Sequence, residues 1–294
     1  MQTTSSLLEN PDALLAAWRD LMAKHHHLHN PQAAMILGVP EAALIAARVG
    51  DGAMALQPDV GALLATASQW RRVLIAVRSA AGVWLGFDHI DGFEARDWIT
   101  LQGQSFITAK LRADAVAHAF WFEDEDDMHG RTQSLQLFDA AGRDVAKVLI
   151  LHKSAAEEAR ARFQTLALPH QNRALTLTSP GAAARPAPSQ ASHALFAFMR
   201  ALDRFPDDLI FENGHADAAG TYRGPIESTS YDEMTAHAYA MSLKLHLRPM
   251  GVQTARIAAD EAVFGVEGEH ALRIAPRAPS AAWSRIVEAQ AVGV

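Results

Sequence analysis

The chain has no cysteine. That excludes disulfides, thiolate metal sites, iron–sulfur clusters, covalent haem attachment through a Cys-x-x-Cys-His motif, and a cysteine nucleophile. Basic residues are in the minority: 26 Lys and Arg against 33 Asp and Glu leave a net charge of −7. Such a balance argues against general affinity for a nucleic-acid backbone, so no nucleic-acid partner is expected. Long apolar runs are also missing. Residues 115–122 form an apolar run that falls far short of the roughly 20 residues of a membrane span, and no membrane insertion is expected. The opening Met1-Gln2-Thr3-Thr4-Ser5 shows no basic segment followed by an apolar core; the expected location is the cytoplasm. There is no Gly-rich phosphate loop, no Gly-x-Ser-x-Gly elbow and no His-Glu-x-x-His motif, which removes the commonest signatures of nucleotide, ester and zinc-protease chemistry. What is present is globular composition, with 49% apolar and 20% charged residues over 294 positions. That length can bury one large core or two ordinary ones.

The first seventy residues read as helical. Asn10-Pro11 is a helix start, because Asn can cap free amides and Pro suits the first helical position. Leu14, Leu15, Trp18, Leu21 and Met22 then share one face. Asn30-Pro31 repeats the start signal, Gly38 breaks that helix, and Pro40-Glu41 and Pro58-Asp59 begin two more. The pattern then changes. Residues 73–77 read as a buried strand, and Gly82, Gly86, Gly92 and Gly103 punctuate short antiparallel strands. Residues 134–148 alternate on both sides of Ala141-Gly142 and predict a hairpin. A polar helix is expected over 154–164, a Pro/Ala-rich linker over 178–192, a helix over 194–202, and a second run of strands from Leu209-Ile210-Phe211.

The two halves match when one is shifted. At 136 residues, Val73-Leu74-Ile75 meets Leu209-Ile210-Phe211, Ile90 meets Ile226, and Leu111-Arg112 meets Leu247-Arg248. At 126 residues, Phe138 meets Phe264, Gly142 meets Gly268, Lys147 meets Arg273 and Val148 meets Ile274. The common order and near-constant shift define a tandem repeat. The shift shortens across the acidic stretch of residues 123–130, which is therefore expected to be a hairpin loop trimmed in the second copy. Counterparts of the helices over residues 10–48 are absent from the second copy.

Four stretches resemble the bacterial haem-utilisation family of haemin-degrading and cytoplasmic haem-trafficking proteins (HemS/ChuS/PhuS type). They are residues 38–50, a short helix ending in Arg48-Val49-Gly50; Ala76-Val77-Arg78-Ser79, a strand ending in arginine; residues 131–142, the hairpin; and Gly224-Pro225-Ile226 with Leu245-His246-Leu247-Arg248. The resemblance implies an α+β fold, a tandem structural repeat in which each copy is a helical segment plus a large antiparallel sheet. It implies a first repeat over residues 1–175, a linker over 176–192 and a second, shortened repeat over 193–294. It also implies that haem binds between the copies, with a histidine on a post-linker helix holding the iron and an arginine of the first copy facing the other side. His193 and Arg78 are the matching positions, His193 as iron ligand. The chemistry is simple: a neutral imidazole nitrogen coordinates, a guanidinium pairs with a propionate or an iron-bound oxygen, and apolar side chains cover the ring. The 136-residue register gives another reading. It places residues 194–202 on the helix just before the first strand, so that the ligand helix itself is deleted. The lysine that the family carries after its Leu-His-Leu-Arg strand is also missing, with Ala259 and Asp260 at the nearest positions.

Other features have plainer readings. His25, His26, His27 and His29 suit a solvated helix end, although His25 and His29 share a face that could take up metal in vitro. The acidic run lacks EF-hand spacing. Residues 31–50 resemble a helix-turn-helix, but the second helix carries no basic side chain before Arg48. The expectation is a cytoplasmic haem-binding protein of bacterial iron acquisition, either carrying haem or degrading it by an oxygenase-like reaction, with a haem importer or haem oxygenase as partner. The alternative is a diverged relative that no longer binds haem and serves as a scaffold or binds another small ligand. No oligomeric state is implied.

Overall fold

The computed structural model describes residues 4–70, 72–126, 130–151, 156–178, 189–232, 235–248, 251–266 and 269–291. Much of the predicted linker, residues 179–188, lies outside them. The helices are α1 (Thr4–Glu9), α2 (Pro11–Lys24), α3 (Asn30–Leu37), α4 (Glu41–Ala47), α5 (Val60–Ala67), α6 (Ala156–Gln164), α7 (Gln190–Ala201) and α8 (Ala281–Ala291). The strands of the first half are β1 (Ala53–Leu56), β2 (Val73–Ser79), β3 (Gly82–Asp88), β4 (Ile90–Ala95), β5 (Trp98–Gly103), β6 (Ile107–Arg112), β7 (His118–Asp126), β8 (Gly130–Phe138) and β9 (Asp144–Ile150). Those of the second half are β10 (Leu209–His215), β11 (Ala218–Gly224), β12 (Ser228–Tyr231), β13 (Ala236–Ala240), β14 (Leu243–Leu247), β15 (Thr254–Ile257), β16 (Ala262–Val266) and β17 (Glu269–Pro276). The fold is α+β with antiparallel sheets. It forms two compact units, one of residues 1–71 with 112–183 and one of residues 72–111 with 184–294.

In the first unit, Asn10 caps α2 by accepting from the Ala13 amide at 3.1 Å, with Pro11 in the first turn. The second Asn-Pro signal is displaced by one residue. His29 occupies the cap of α3, and Asn30 is its buried first residue. There Asn30 Oδ1 accepts from the Trp18 indole at 3.2 Å, the partner that a desolvated amide needs. Every residue of α4 is buried, which removes the DNA-reading possibility, because a recognition helix must present side chains to a groove. Arg48 at the end of α4 lies over the rings of Trp18 and Phe122 and pairs with Asp124 at 3.0 Å. The Arg-Val-Gly turn is thus an anchor between α2 and β7, and Gly50 supplies its left-handed residue at φ 86°.

The strands of this unit run β1-β7-β8-β9. The predicted hairpin forms as β8 and β9, turning at Gly142 with φ 76°. The acidic stretch is corrected: Glu123–Asp126 continue β7 and pair with residues 130–133 of β8, and residues 127–129 of the stretch lie outside the described residues. Glu123 can sit in a strand because Arg131 Nη2, Trp121 Nε1 and Gln133 Nε2 all donate to its carboxylate. The same face of β7 packs Trp121 against Phe163 of α6 at 5.1 Å and Trp70 after α5 at 6.0 Å.

The second unit shows the repeat most directly. β2 and β10, and β3 and β11, differ by 136 at both of their limits. Helix α5 precedes β2 as α7 precedes β10, and α6 follows β9 as α8 follows β17. Neither β1 nor α8 is anticipated by the periodicity. Five strands lie in the order β2-β3-β14-β13-β12, and eight in the order β15-β16-β17-β10-β11-β6-β5-β4. Each sequence copy therefore lends three strands to the sheet of the other: β14 pairs with β3, and β6 pairs with β11. The central hairpins meet face to face. Trp84 of β3 is fully buried against Gly220 of β11, where a Cβ would sit 2.3 Å from the indole. Asn213 of β10, also fully buried, donates to the Val77 carbonyl at 3.2 Å and accepts from Ser79 Oγ at 2.7 Å. This replaces bonds that burial would otherwise forfeit.

Candidate functional site

The hairpin of β13 and β14 has strict period-two chemistry. Ala236, Ala238, Leu243, Leu245 and Leu247 are fully buried on one face. His237, Tyr239, Lys244 and His246 alternate with them and point to the other. The Met241-Ser242 turn pairs Ala240 with Leu243, and so sets His237 opposite His246. Across β14, His246 pairs with Val83 of β3, and Val83 pairs with Arg78 of β2. Arg78, Val83, His246 and His237 therefore form one row across four strands, all on the face away from Trp84. Strand spacing puts Arg78 and His246 about 10 Å apart at Cα. Gly82 permits the close approach of β14 here, since a Cβ on it would lie 2.1 Å from the His246 carbonyl oxygen. Half-buried Leu74, Leu85 and Phe87 share this face.

The hydrogen bonds of the row fix its protons. Thr235 Oγ1 donates to the Asp232 carboxylate, which can only accept. The same hydroxyl oxygen lies 2.9 Å from His237 Nε2 and so accepts from it. His237 Nδ1 is then the lone-pair nitrogen, and the bond of 2.8 Å to His246 Nδ1 takes its proton from His246. What remains is His246 Nε2, a lone pair with no hydrogen bond among the described residues. Burial, first, and then the neighbouring His237, Lys244 and Arg248 push the His246 imidazole down to about 4, so it is neutral at physiological pH. The His237 ring packs edge-on to His246 at 4.8 Å and stacks with Tyr239 at 6.1 Å.

Of the residues singled out in the sequence, Arg78 lies in this row and is half-buried. His193 lies in the first turns of α7 and is exposed, and its Nδ1 faces the Ser189 carbonyl at 3.0 Å. A carbonyl only accepts, so Nδ1 carries the proton and Nε2 is open. Ser189 caps α7 and also donates to the Val252 carbonyl at 2.7 Å, tying the helix start to the strand region. The Tyr231 hydroxyl donates to the Met199 carbonyl of α7, and Tyr231 pairs with Ala236, on the Trp84 face of the sheet. Tyr231 thus meets α7 from the Trp84 face of this sheet, and Arg78 belongs to the row on the opposite face. His237 and His246 were not singled out by sequence reasoning. The signal was present: two alternating five-residue runs about a two-residue turn. The histidines at 25–27 touch one another edge-on, but among the described residues no group of three or more His, Asp or Glu stands together to hold a metal ion. Nor, among them, is any helix long and apolar enough to cross a membrane.

The equivalent row in the other sheet is Gly214, Ala219 and Lys110. Arginine and imidazole chemistry is therefore confined to one copy of a duplicated arrangement.

Residues 38–168 match the family model described as the haemin-degrading HemS.ChuX domain. No curated protein sequence matches the chain. Among solved structures, holo-PhuS, a haem-binding protein from Pseudomonas aeruginosa, superposes with a TM-score of 0.79 at 20% identity, covering 95% of this chain and 98% of that one. The haem-degrading enzyme ChuS of Escherichia coli O157:H7 gives 0.79 at 15% identity, covering 95% and 99%. A second structure of ChuS, described as an E. coli haem oxygenase, gives 0.73 at 14% identity, covering 94% and 99%. At these identities the superpositions establish the fold.

Proposed function

We propose, for a chain whose residues 38–168 belong to the haemin-degrading HemS/ChuX family, that it binds haem in bacterial iron acquisition. The observation that carries this reading is the row Arg78–Val83–His246, which joins a guanidinium, an apolar floor and a neutral imidazole on one sheet face. This donor set fits haem. The porphyrin supplies four nitrogens of its own, so the protein needs only an axial imidazole, a cation for a propionate and apolar cover. When bound, haem supplies the redox chemistry, and the protein supplies orientation and electrostatics. Arg78 would pair with a propionate of the bound haem. His193 is the position that the sequence resemblance indicates for the imidazole that would hold the iron, and its open Nε2 is suited to that role. The protein acts in the cytoplasm, receiving haem from an importer and carrying or degrading it.

Titration with haem tests the reading: a saturable Soret shift is expected, and Arg78→Ala is expected to weaken it. A flat titration would overturn haem binding and leave the diverged scaffold. Addition of oxygen and a reductant to the complex separates the two roles. Soret loss with iron release identifies a haem-degrading enzyme, and a stable spectrum identifies a carrier.

A further inference from the structure

Resting on that haem-binding reading, we infer that the His237–His246 pair is a proton-uptake site, which takes one proton when a carboxylate of the ligand docks beside Arg78 and so makes binding there pH-dependent. The hydrogen bonds carry this. The two Nδ1 atoms share one proton across 2.8 Å, and the bond stands only while one of them is a lone pair. The pair can therefore gain a single proton, and its surroundings decide where the charge goes. A proton arriving from solvent binds His246 Nε2, which has no hydrogen bond among the described residues. The Nδ1 proton of His246 passes to His237 Nδ1, so that His246 is neutral again with its hydrogen on Nε2, and His237 becomes the cation. The Nε2–H of His237 faces Thr235 Oγ1 at 2.9 Å and lies 4.0 Å from the Asp232 carboxylate, which favours the charge there. Charge kept on His246 is opposed by burial and by Lys244 and Arg248 along its own chain. The other groups facing the pair are Arg78 of β2 along the row, Val83 and Leu85 of β3, Tyr239 of β13 and Ser230 of β12, and none of these is an acid.

Uptake reverses what this face offers. Before it, His246 Nε2 is a lone pair that repels a carboxylate. After it, the same atom is a donor in the row of Arg78, with the exposed Lys244 two residues along β14 as a further cation. A docked carboxylate thus draws a proton onto the pair, and His237 is a positioning residue that acts through His246. The duplicated arrangement lacks this response. The 136-residue shift carries His246 to Lys110 and His237 to Leu101, so the donor opposite Ala219 is a fixed cation. The site needs no iron ligand from this face and is independent of which residue holds the metal.

The test is calorimetry of haem binding at about pH 6 in two buffers of different ionisation enthalpy, which counts protons taken up. At that pH the unliganded His246, pushed down to about 4, is neutral and free to gain a proton. Wild type, His246→Gln and His237→Gln are compared, with haem and with haem dimethyl ester, whose carboxylates are blocked. Wild type is expected to take up more protons with haem than either variant does, by up to one per haem. Relative to His246→Gln, its affinity is expected to rise as pH falls from about 8 to 6, by up to roughly tenfold per unit for a full proton. With the dimethyl ester the difference from the variants is expected to vanish. Equal uptake in wild type and His246→Gln, or an equal excess with the ester, overturns the proton-uptake site and leaves haem binding standing. If the variants do not fold, the wild-type comparison of haem with its ester decides: equal uptake refutes the site. No Soret shift in wild type overturns both readings.

Discussion

Lys147 of β9 and Glu41 at the start of α4 form an ion pair whose side chains are each 8% exposed. Asp144, 7% exposed at its side chain, lies 3.9 Å from the same ammonium, and the Phe138 ring is 6.0 Å away. One cation thus serves two buried carboxylates. Lys147→Met keeps most of the aliphatic volume and leaves the buried Glu41 carboxylate without its cation, which is expected to cost about 3–5 kcal/mol. Against a total stability of about 5–15 kcal/mol, that is a large fraction. Urea unfolding followed by circular dichroism should show it as a midpoint lowered by about 1–2 M at unchanged m. Glu41→Leu combined with Lys147→Met should recover much of the loss, giving a coupling of about 2–3 kcal/mol in the double-mutant cycle. A single-variant loss below about 1 kcal/mol would refute the reasoning, because only a solvated pair is that cheap to break.

Gly220→Ala drives a methyl group into the Trp84 indole and should cost about 1–3 kcal/mol, read as a lowered unfolding midpoint. Glu123 gives a pH signature. Burial raises its carboxyl, but bonds from Arg131, Trp121 and Gln133 outweigh that and hold it below its ordinary value of 4.5. The stabilisation is therefore complete above that value and lost as pH falls below it. Glu123→Gln should lie about 1–3 kcal/mol below wild type at pH 7 and converge with it in acid, in unfolding curves taken across pH. Ser189→Ala removes the α7 cap and should cost about 1 kcal/mol, read as a lowered unfolding midpoint.

Much of the local architecture was readable without coordinates, because it depends on neighbours in sequence. Asn10 and Asp59 cap their helices through their own side chains, and Gly142 turns the hairpin. The 136-residue shift predicts the strand limits of β10 and β11 from those of β2 and β3. Features that depend on distant partners were not readable. β1 is four residues long and takes its identity from pairing with β7. Helix α8 buries chiefly Trp283, against Phe198 and Phe205, and its own polar residues mask that face. The exchange of strands between copies leaves no trace in local periodicity. At the site, Arg78 was legible from the resemblance. The His237–His246 pair was within reach of hairpin register alone, whereas its union with Arg78 required knowing that β14 lies beside β3.

That exchange has a consequence for how the protein comes into being on the ribosome. Arg78 and Val83 are synthesised early, but the strand that completes their row ends at Leu247. At about 5–20 residues per second, the intervening chain takes roughly 10–30 s to emerge. Throughout that interval the outer edge of β3 is an unpaired row of amides and carbonyls, open to a neighbouring nascent chain. A nascent chain that has not yet emerged past Leu247 therefore has no complete row, and anything that binds there must wait until most of the second copy has been made.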